Sequence, residues 1–61
     1  FKRSLFVIND IKKGEKFTRE NIRCIRPGYG LEPKHLVDVI GKIATIDIER
    51  GSPLDWSMVN K

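Results

Sequence analysis

The residues best suited to bind a ligand lie in one short stretch near the middle of the chain. Residues 26–31 read Arg-Pro-Gly-Tyr-Gly-Leu. Arg26 carries a planar fork of donors that suits a carboxylate, a phosphate or a carbonyl oxygen. The proline after it stiffens the backbone, while Gly28 and Gly30, on either side of Tyr29, let other atoms approach closely. The stretch predicts a ligand-binding loop, although a solvated arginine beside an ordinary Pro-Gly turn has the same composition.

Other residues with reactive side chains fit structural roles better. Cys24 and His35 are the single cysteine and the single histidine of the chain, and together they could form only a nucleophile–base pair. Since free cysteines are often buried, we interpret Cys24 as a small, semi-buried filler. One Cys and one His cannot assemble a structural zinc site. We therefore predict neither a metal site nor a catalytic residue in this chain.

One sequence pattern occurs twice, 37 positions apart. Asp-Ile-x-x-Gly runs from Asp10 to Gly14 and again from Asp47 to Gly51. This repeat predicts two copies of one supersecondary unit, with residues 26–31 belonging to neither. We interpret both glycines as turn residues rather than phosphate ligands, because neither precedes a long helix. Both aspartates are predicted to accept hydrogen bonds from their own turns. The apolar pairs that follow at the same offset are Phe17 with Leu54 and Ile22 with Val59.

The local patterns predict short strands joined by tight turns. The strands are expected over residues 4–8, 16–17, 23–26 and 42–48. One short helix is expected over residues 33–40, with Pro33 in its first turn and Gly41 at its end. Single helical turns are expected at residues 19–22 and 56–59, after the N-cap residues Thr18 and Asp55. These elements predict a single, mostly-β domain over residues 1–61.

Composition disfavours several other classes of protein. The net charge of +4 comes from 12 basic and 8 acidic residues that are interspersed, which is typical of a solvated surface. The aromatic residues do not alternate with a basic run, so no nucleic-acid partner is expected. No apolar run approaches the ~18 residues of a membrane span. The start at Phe1, without a leader peptide, suggests a fragment of a longer cytoplasmic chain.

Several motifs, taken in order, resemble those of one protein family. They are Ser4-Leu5, Asp10-Ile11-Lys12-Lys13-Gly14, Thr18-Arg19-Glu20-Asn21-Ile22-Arg23, Arg26-Pro27-Gly28-Tyr29-Gly30-Leu31 and Ile40-Gly41-Lys42. Together they are similar to the C-terminal antifreeze-like (SAF) domain of bacterial sialic acid synthases. That group includes N-acetylneuraminate, legionaminate and pseudaminate synthases and related spore-coat polysaccharide enzymes.

The resemblance implies a β-clip fold with pseudo-two-fold symmetry and a non-catalytic role. Synthases of this group condense phosphoenolpyruvate with an N-acyl amino sugar in a TIM barrel that needs a divalent metal, Mn or Mg. Their SAF domain is swapped across a homodimer and covers the partner's barrel. There the arginine of Arg-Pro-Gly reaches the N-acyl group of the amino sugar. Arg26 occupies that position here, with Gly28, Tyr29 and Gly30 as its loop neighbours.

A free-standing binding module, for ice or for carbohydrate, is the alternative. Type III antifreeze proteins share the fold and bind ice through a flat face of uncharged residues in and after the first turn. The matching positions here are charged: Lys12, Lys13, Glu15, Lys16, Arg19 and Glu20. Strongly hydrated side chains disfavour adsorption to ice, so the sequence favours the domain of a synthase.

Overall fold

The computed structural model describes residues 2–60, while Phe1 and Lys61 lie outside the described residues. The predicted mostly-β architecture is confirmed. The elements are, in chain order, β1 (Ser4–Val7), β2 (Ile22–Ile25), α1 (Leu36–Val39), β3 (Ile43–Ala44) and β4 (Val59–Asn60), with 3-10 helices at Pro33–His35 and Trp56–Met58. The strands form two antiparallel ribbons, β1 with β2 and β3 with β4. A short helical segment therefore separates two similar β units.

The two β units repeat each other residue by residue. Val7 pairs with Ile22 in the first ribbon, and their counterparts 37 positions later, Ala44 and Val59, pair in the second. We call residues 4–25 the first copy, residues 41–60 the second copy and residues 26–40 the insert. The copies meet where Ile11 and Ile48 exchange both backbone hydrogen bonds, at 2.9 and 2.7 Å. The pseudo-two-fold axis passes between these two residues, as the repeat predicts.

The repeated aspartates connect the two copies. The Oδ1 atom of Asp47 accepts the backbone N–H of Lys13 at 2.8 Å, and that of Asp10 accepts the N–H of Arg50 at 2.7 Å. Their predicted structural role is confirmed, but the prediction that each accepts from its own turn is wrong. The reason is the two-fold axis, which places each aspartate beside the turn of the other copy.

Several predicted elements are shorter in the structure, and the strand expected at residues 16–17 is only an isolated bridge between Lys16 and Ile43. The strand expected over residues 42–48 is broken after Ala44, because the chain bends at Thr45 and rejoins the other copy only at the bridge of Ile48. The helical turn expected at 19–22 closes through the Ile22 N–H donating to the Thr18 carbonyl at 3.1 Å. Ile22 itself already begins β2, so this turn adds no helix.

The residues predicted to begin and end the helical segments include Asp55 and Gly41, and both predictions are confirmed. Asp55 accepts the N–H of Ser57 at 2.8 Å, as an N-cap does. The helix expected over residues 33–40 divides into the 3-10 helix Pro33–His35 and α1 (Leu36–Val39). Gly41 follows it with a φ of 89°, the left-handed conformation predicted for its end.

The core lies between the two ribbons, and eight of its ten buried apolar residues form four pairs of equivalent positions. Its buried apolar side chains are Leu5, Val7, Ile11, Phe17, Ile22, Val39, Ala44, Ile48, Leu54 and Val59. Phe17 and Leu54, one from each copy, are both fully buried. Cys24 packs against this cluster, as predicted for a filler. Val39 of α1 is the one member from the insert, so the core ties the insert to both copies.

The second turn offers a direct test of the repeat. Gly51 has a φ of 91°, and a Cβ built there would meet no atom within 4 Å, so only backbone strain opposes a side chain. We expect Gly51→Val to lower the free energy of unfolding by about 1–3 kcal/mol. Asparagine tolerates positive φ better, so Gly51→Asn should lose clearly less. Chemical denaturation of both variants checks this, and equal stability of Gly51→Val and the wild type would contradict it.

Candidate functional site

The candidate site is the loop that leaves the end of β2. Arg26 is the first residue after this strand, and the bond between Arg26 and Pro27 is a cis peptide. Arg26, Pro27, Gly28 and Tyr29 are exposed, and Tyr29 retains 79% of its accessible surface. The predicted site residues therefore sit together on one surface loop, with Gly30 half-buried at its far side.

A buried serine that the sequence analysis missed holds this loop. Ser4 begins β1 and is only 1% exposed. Its Oγ donates to the carbonyl of Pro27 at 2.7 Å and accepts the N–H of Gly30 at 2.9 Å. One hydroxyl thus joins the two sides of the loop and leaves Gly28 and Tyr29 projecting between them. The available signal was a polar residue at the start of an otherwise apolar strand.

The far side of the loop is anchored in the sheet region. The Leu31 N–H donates to the Leu54 carbonyl at 2.8 Å, and the Leu31 carbonyl accepts the N–H of Leu5 at 2.9 Å. A Cβ at Gly30 would lie 2.2 Å from the carbonyl oxygen of Leu5. Glycine is therefore required at position 30 for this close approach, as its type predicts. These hydrogen bonds fix the backbone at the far side of the loop to β1 and to Leu54.

Two surface hollows of the described residues lie elsewhere. One, of about 500 Å³, is lined by His35, Asp38, Lys42 and Trp56. The other, of about 390 Å³, is lined by Phe6, Val7, Ile8, Asn9, Ile25, Arg50 and Gly51. Neither includes a residue of the 26–30 loop. Arg26 is therefore presented on the surface and would need a second surface to enclose a ligand.

The side chain of His35 lies between those of Trp56 and Asp38. Its ring meets that of Trp56 edge to face, with centroids 5.2 Å apart, and its Nδ1 lies 4.0 Å from a carboxylate oxygen of Asp38. Within residues 2–60, no group of three or more His, Cys, Asp and Glu side chains is arranged to hold a metal ion. In the same part of the chain, no helix has both the length and the apolar character needed to cross a bilayer.

Solved structures of similar fold include a polysaccharide biosynthesis protein and an antifreeze protein-like domain. The crystal structure of the spore coat polysaccharide biosynthesis protein spsE from Bacillus subtilis superposes with a TM-score of 0.87 at 32% identity, over 97% of this chain and 18% of that one. An antifreeze protein-like domain from human N-acetylneuraminic acid phosphate synthase superposes with a TM-score of 0.85 over 95% of this chain and 75% of that domain, at 18% identity. The fold is therefore the antifreeze-like fold.

Sequence comparison identifies the family. Residues 2–60 match the SAF domain, and the chain belongs to this family. The pseudaminic acid synthase of Campylobacter jejuni is 50% identical over 57 residues, which are 93% of this chain and 17% of that synthase. The resemblance inferred from the motifs is confirmed. The chain thus spans about one sixth of the length of the curated relatives that it matches.

Proposed function

We propose that this chain is the non-catalytic C-terminal domain of a sialic-acid-type synthase. The parent enzyme would condense phosphoenolpyruvate with an N-acyl amino sugar. The support is the 46–50% identity to three pseudaminic acid synthases, together with the small share of each relative that the chain spans. The catalytic groups and the phosphoenolpyruvate site would then lie in the remaining five sixths of the enzyme.

In this proposal the domain covers the barrel active site of the partner subunit in a domain-swapped homodimer. Arg26 donates hydrogen bonds to the N-acyl group of the amino sugar. The observation that carries this role is the loop itself, because an exposed arginine stands on a backbone that Ser4 and Leu31 hold on the domain. Fixing a donor before the ligand arrives lowers the entropy lost on binding.

The metal requirement belongs to the rest of the enzyme. The side chains of residues 2–60 offer no group suited to a metal ion, so they do not fit a Mn or Mg site. A divalent cation would be held in the barrel by residues outside this chain. We further propose that the enzyme works in the cytoplasm, where phosphoenolpyruvate is made.

The structure gives little support to ice binding as the alternative. The six charged residues of the first turn region are all exposed: Lys12, Lys13, Glu15, Lys16, Arg19 and Glu20. Such a surface is strongly hydrated, whereas an ice-adsorbing face must be flat and weakly hydrated. The domain of a synthase therefore remains the better-supported function.

The experiment that tests the proposal compares the two substrates. In the full-length synthase, removal of the Arg26 side chain should raise the KM of the amino sugar and leave that of phosphoenolpyruvate unchanged. A change in both values to the same extent would point to general damage, and a change in neither would refute the assignment.

A further inference from the structure

The Ser4 hydroxyl has no counterpart in the second copy. The position 37 residues after Ser4 is Gly41, which has no side chain. The two positions are equivalent because Phe6 pairs with Arg23 just as Ile43 pairs with Asn60. The β unit therefore forms in the second copy without a hydroxyl at this position, so the fold of the repeat does not require one.

Both hydrogen bonds of this hydroxyl go to the insert. Ser4 Oγ donates to the Pro27 carbonyl at 2.7 Å and accepts from the Gly30 N–H at 2.9 Å. The side chain is almost completely buried, where a hydroxyl is unfavourable unless its hydrogen bonds are made. Neither bond reaches a residue of the first or second copy, so the hydroxyl serves the loop alone.

One backbone hydrogen bond of the repeat is also made by a different donor in the two copies. In the second copy, the Gly41 N–H donates to the carbonyl of Phe17 at 2.9 Å. The carbonyl of Leu54, the counterpart of Phe17, instead accepts the N–H of Leu31 at 2.8 Å. The insert has thus taken over a backbone contact of the repeat, and Ser4 closes the loop that results.

We infer that Ser4 is a positioning residue for the Arg26 loop. This inference rests on the proposed function of Arg26 and assigns a role in substrate affinity to a residue that need not touch the substrate. Without the hydroxyl, the Pro27 carbonyl and the Gly30 N–H lose their shared partner. The loop can then adopt other conformations, and Arg26 is no longer held in one orientation.

The test uses Ser4→Ala in the full-length synthase. We expect kcat/KM for the amino sugar to fall by about 5–20-fold, mainly through KM, with the KM of phosphoenolpyruvate unchanged. Ser4→Cys keeps a weak donor and acceptor and should recover part of the loss. Hydrogen exchange measured by mass spectrometry should show faster exchange in peptides that contain Gly30.

A matched control lies in the second copy. The Thr45 hydroxyl donates to the carbonyl of Ser57 at 2.6 Å, which is a side-chain-to-backbone bond in a more exposed place, away from the loop. Thr45→Ala should leave the amino-sugar KM unchanged. If Ser4→Ala and Thr45→Ala lower activity equally, in proportion to a loss of folded enzyme, Ser4 is merely structural and the inference is overturned.

The double variant separates the positioning role from the proposed function. If Ser4 acts through Arg26, then Ser4→Ala should change the amino-sugar KM little when Arg26 is already alanine. Should Arg26→Ala raise this KM while Ser4→Ala does not, the positioning role fails and the proposed function stands. Should Arg26→Ala have no effect on it, the proposed function itself fails.

Discussion

Replacing Arg26 with alanine in the full-length synthase is expected to lower kcat/KM for the amino sugar by about 10–100-fold. This follows because a hydrogen bond to a charged group contributes about 1.5–3 kcal/mol. The loss should appear chiefly in the amino-sugar KM. Arg26 is an exposed residue of the domain, so its truncation should lower the unfolding free energy far less than the truncation of a core residue. Steady-state kinetics with each substrate varied in turn provide the measurement.

Two further variants sharpen this result. Arg26→Lys keeps the charge but lacks the planar fork, so it should restore only part of the affinity. Arg23→Ala removes an equal charge from another exposed arginine, three residues earlier on β2, and should leave the kinetics unchanged. If Arg23→Ala matched Arg26→Ala, the effect would be a loss of general electrostatic attraction rather than of a specific contact.

Replacing Phe17 with alanine is expected to remove a large part of the stability of the domain. Phe17 is 0% exposed and is the largest of the fully buried side chains in the described residues. Truncation of a buried phenylalanine costs about 3–5 kcal/mol, through lost burial and the cavity left behind. A chain of 61 residues has only about 3–9 kcal/mol of stability to lose. Thermal and chemical denaturation followed by circular dichroism would measure the change.

The repeat itself supplies the control for this variant. The counterpart of Phe17 in the second copy is Leu54, which is also fully buried. Phe17→Leu therefore makes the two copies alike and should cost less than about 1.5 kcal/mol, since much of the volume is retained. Tyr29→Ala, at a residue that is 79% exposed, should leave stability unchanged. A Phe17→Ala variant as stable as Phe17→Leu would contradict the placement of the core.

Sequence patterns predicted the features that depend on neighbouring residues. The repeated glycines have positive φ, Asp55 caps its turn, and Gly41 ends the helical segment, because each is decided within a few residues. The crossing of Asp10 and Asp47 was missed, since each accepts a hydrogen bond from a residue at least 34 positions away. A one-dimensional pattern shows that a residue repeats but not which copy it contacts.

The candidate site also combines a feature set by neighbouring residues with contacts to residues that are distant in the sequence. The exposed loop around Arg26 was predicted because these residues lie outside the repeat and include two glycines. The role of Ser4 was missed, because its partners lie 23 and 26 positions away and a polar residue at the start of an apolar strand does not show what it contacts. The two-fold register makes Ser4 equivalent to Gly41, which has no side chain, and this equivalence shows that the hydroxyl is specific to the insert.

Hybrid dimers test most directly the central claim that this domain serves the active site of the partner subunit. One chain would carry Arg26→Ala with an intact barrel, and the other would carry the intact Arg26 loop with an inactivated barrel. If Arg26 acts across the dimer, random mixing of the impaired and the inactivated chain should restore about a quarter of the wild-type activity per site, because half of the dimers then contain one complete site. Activity no higher than that of the two separate homodimers would contradict the claim.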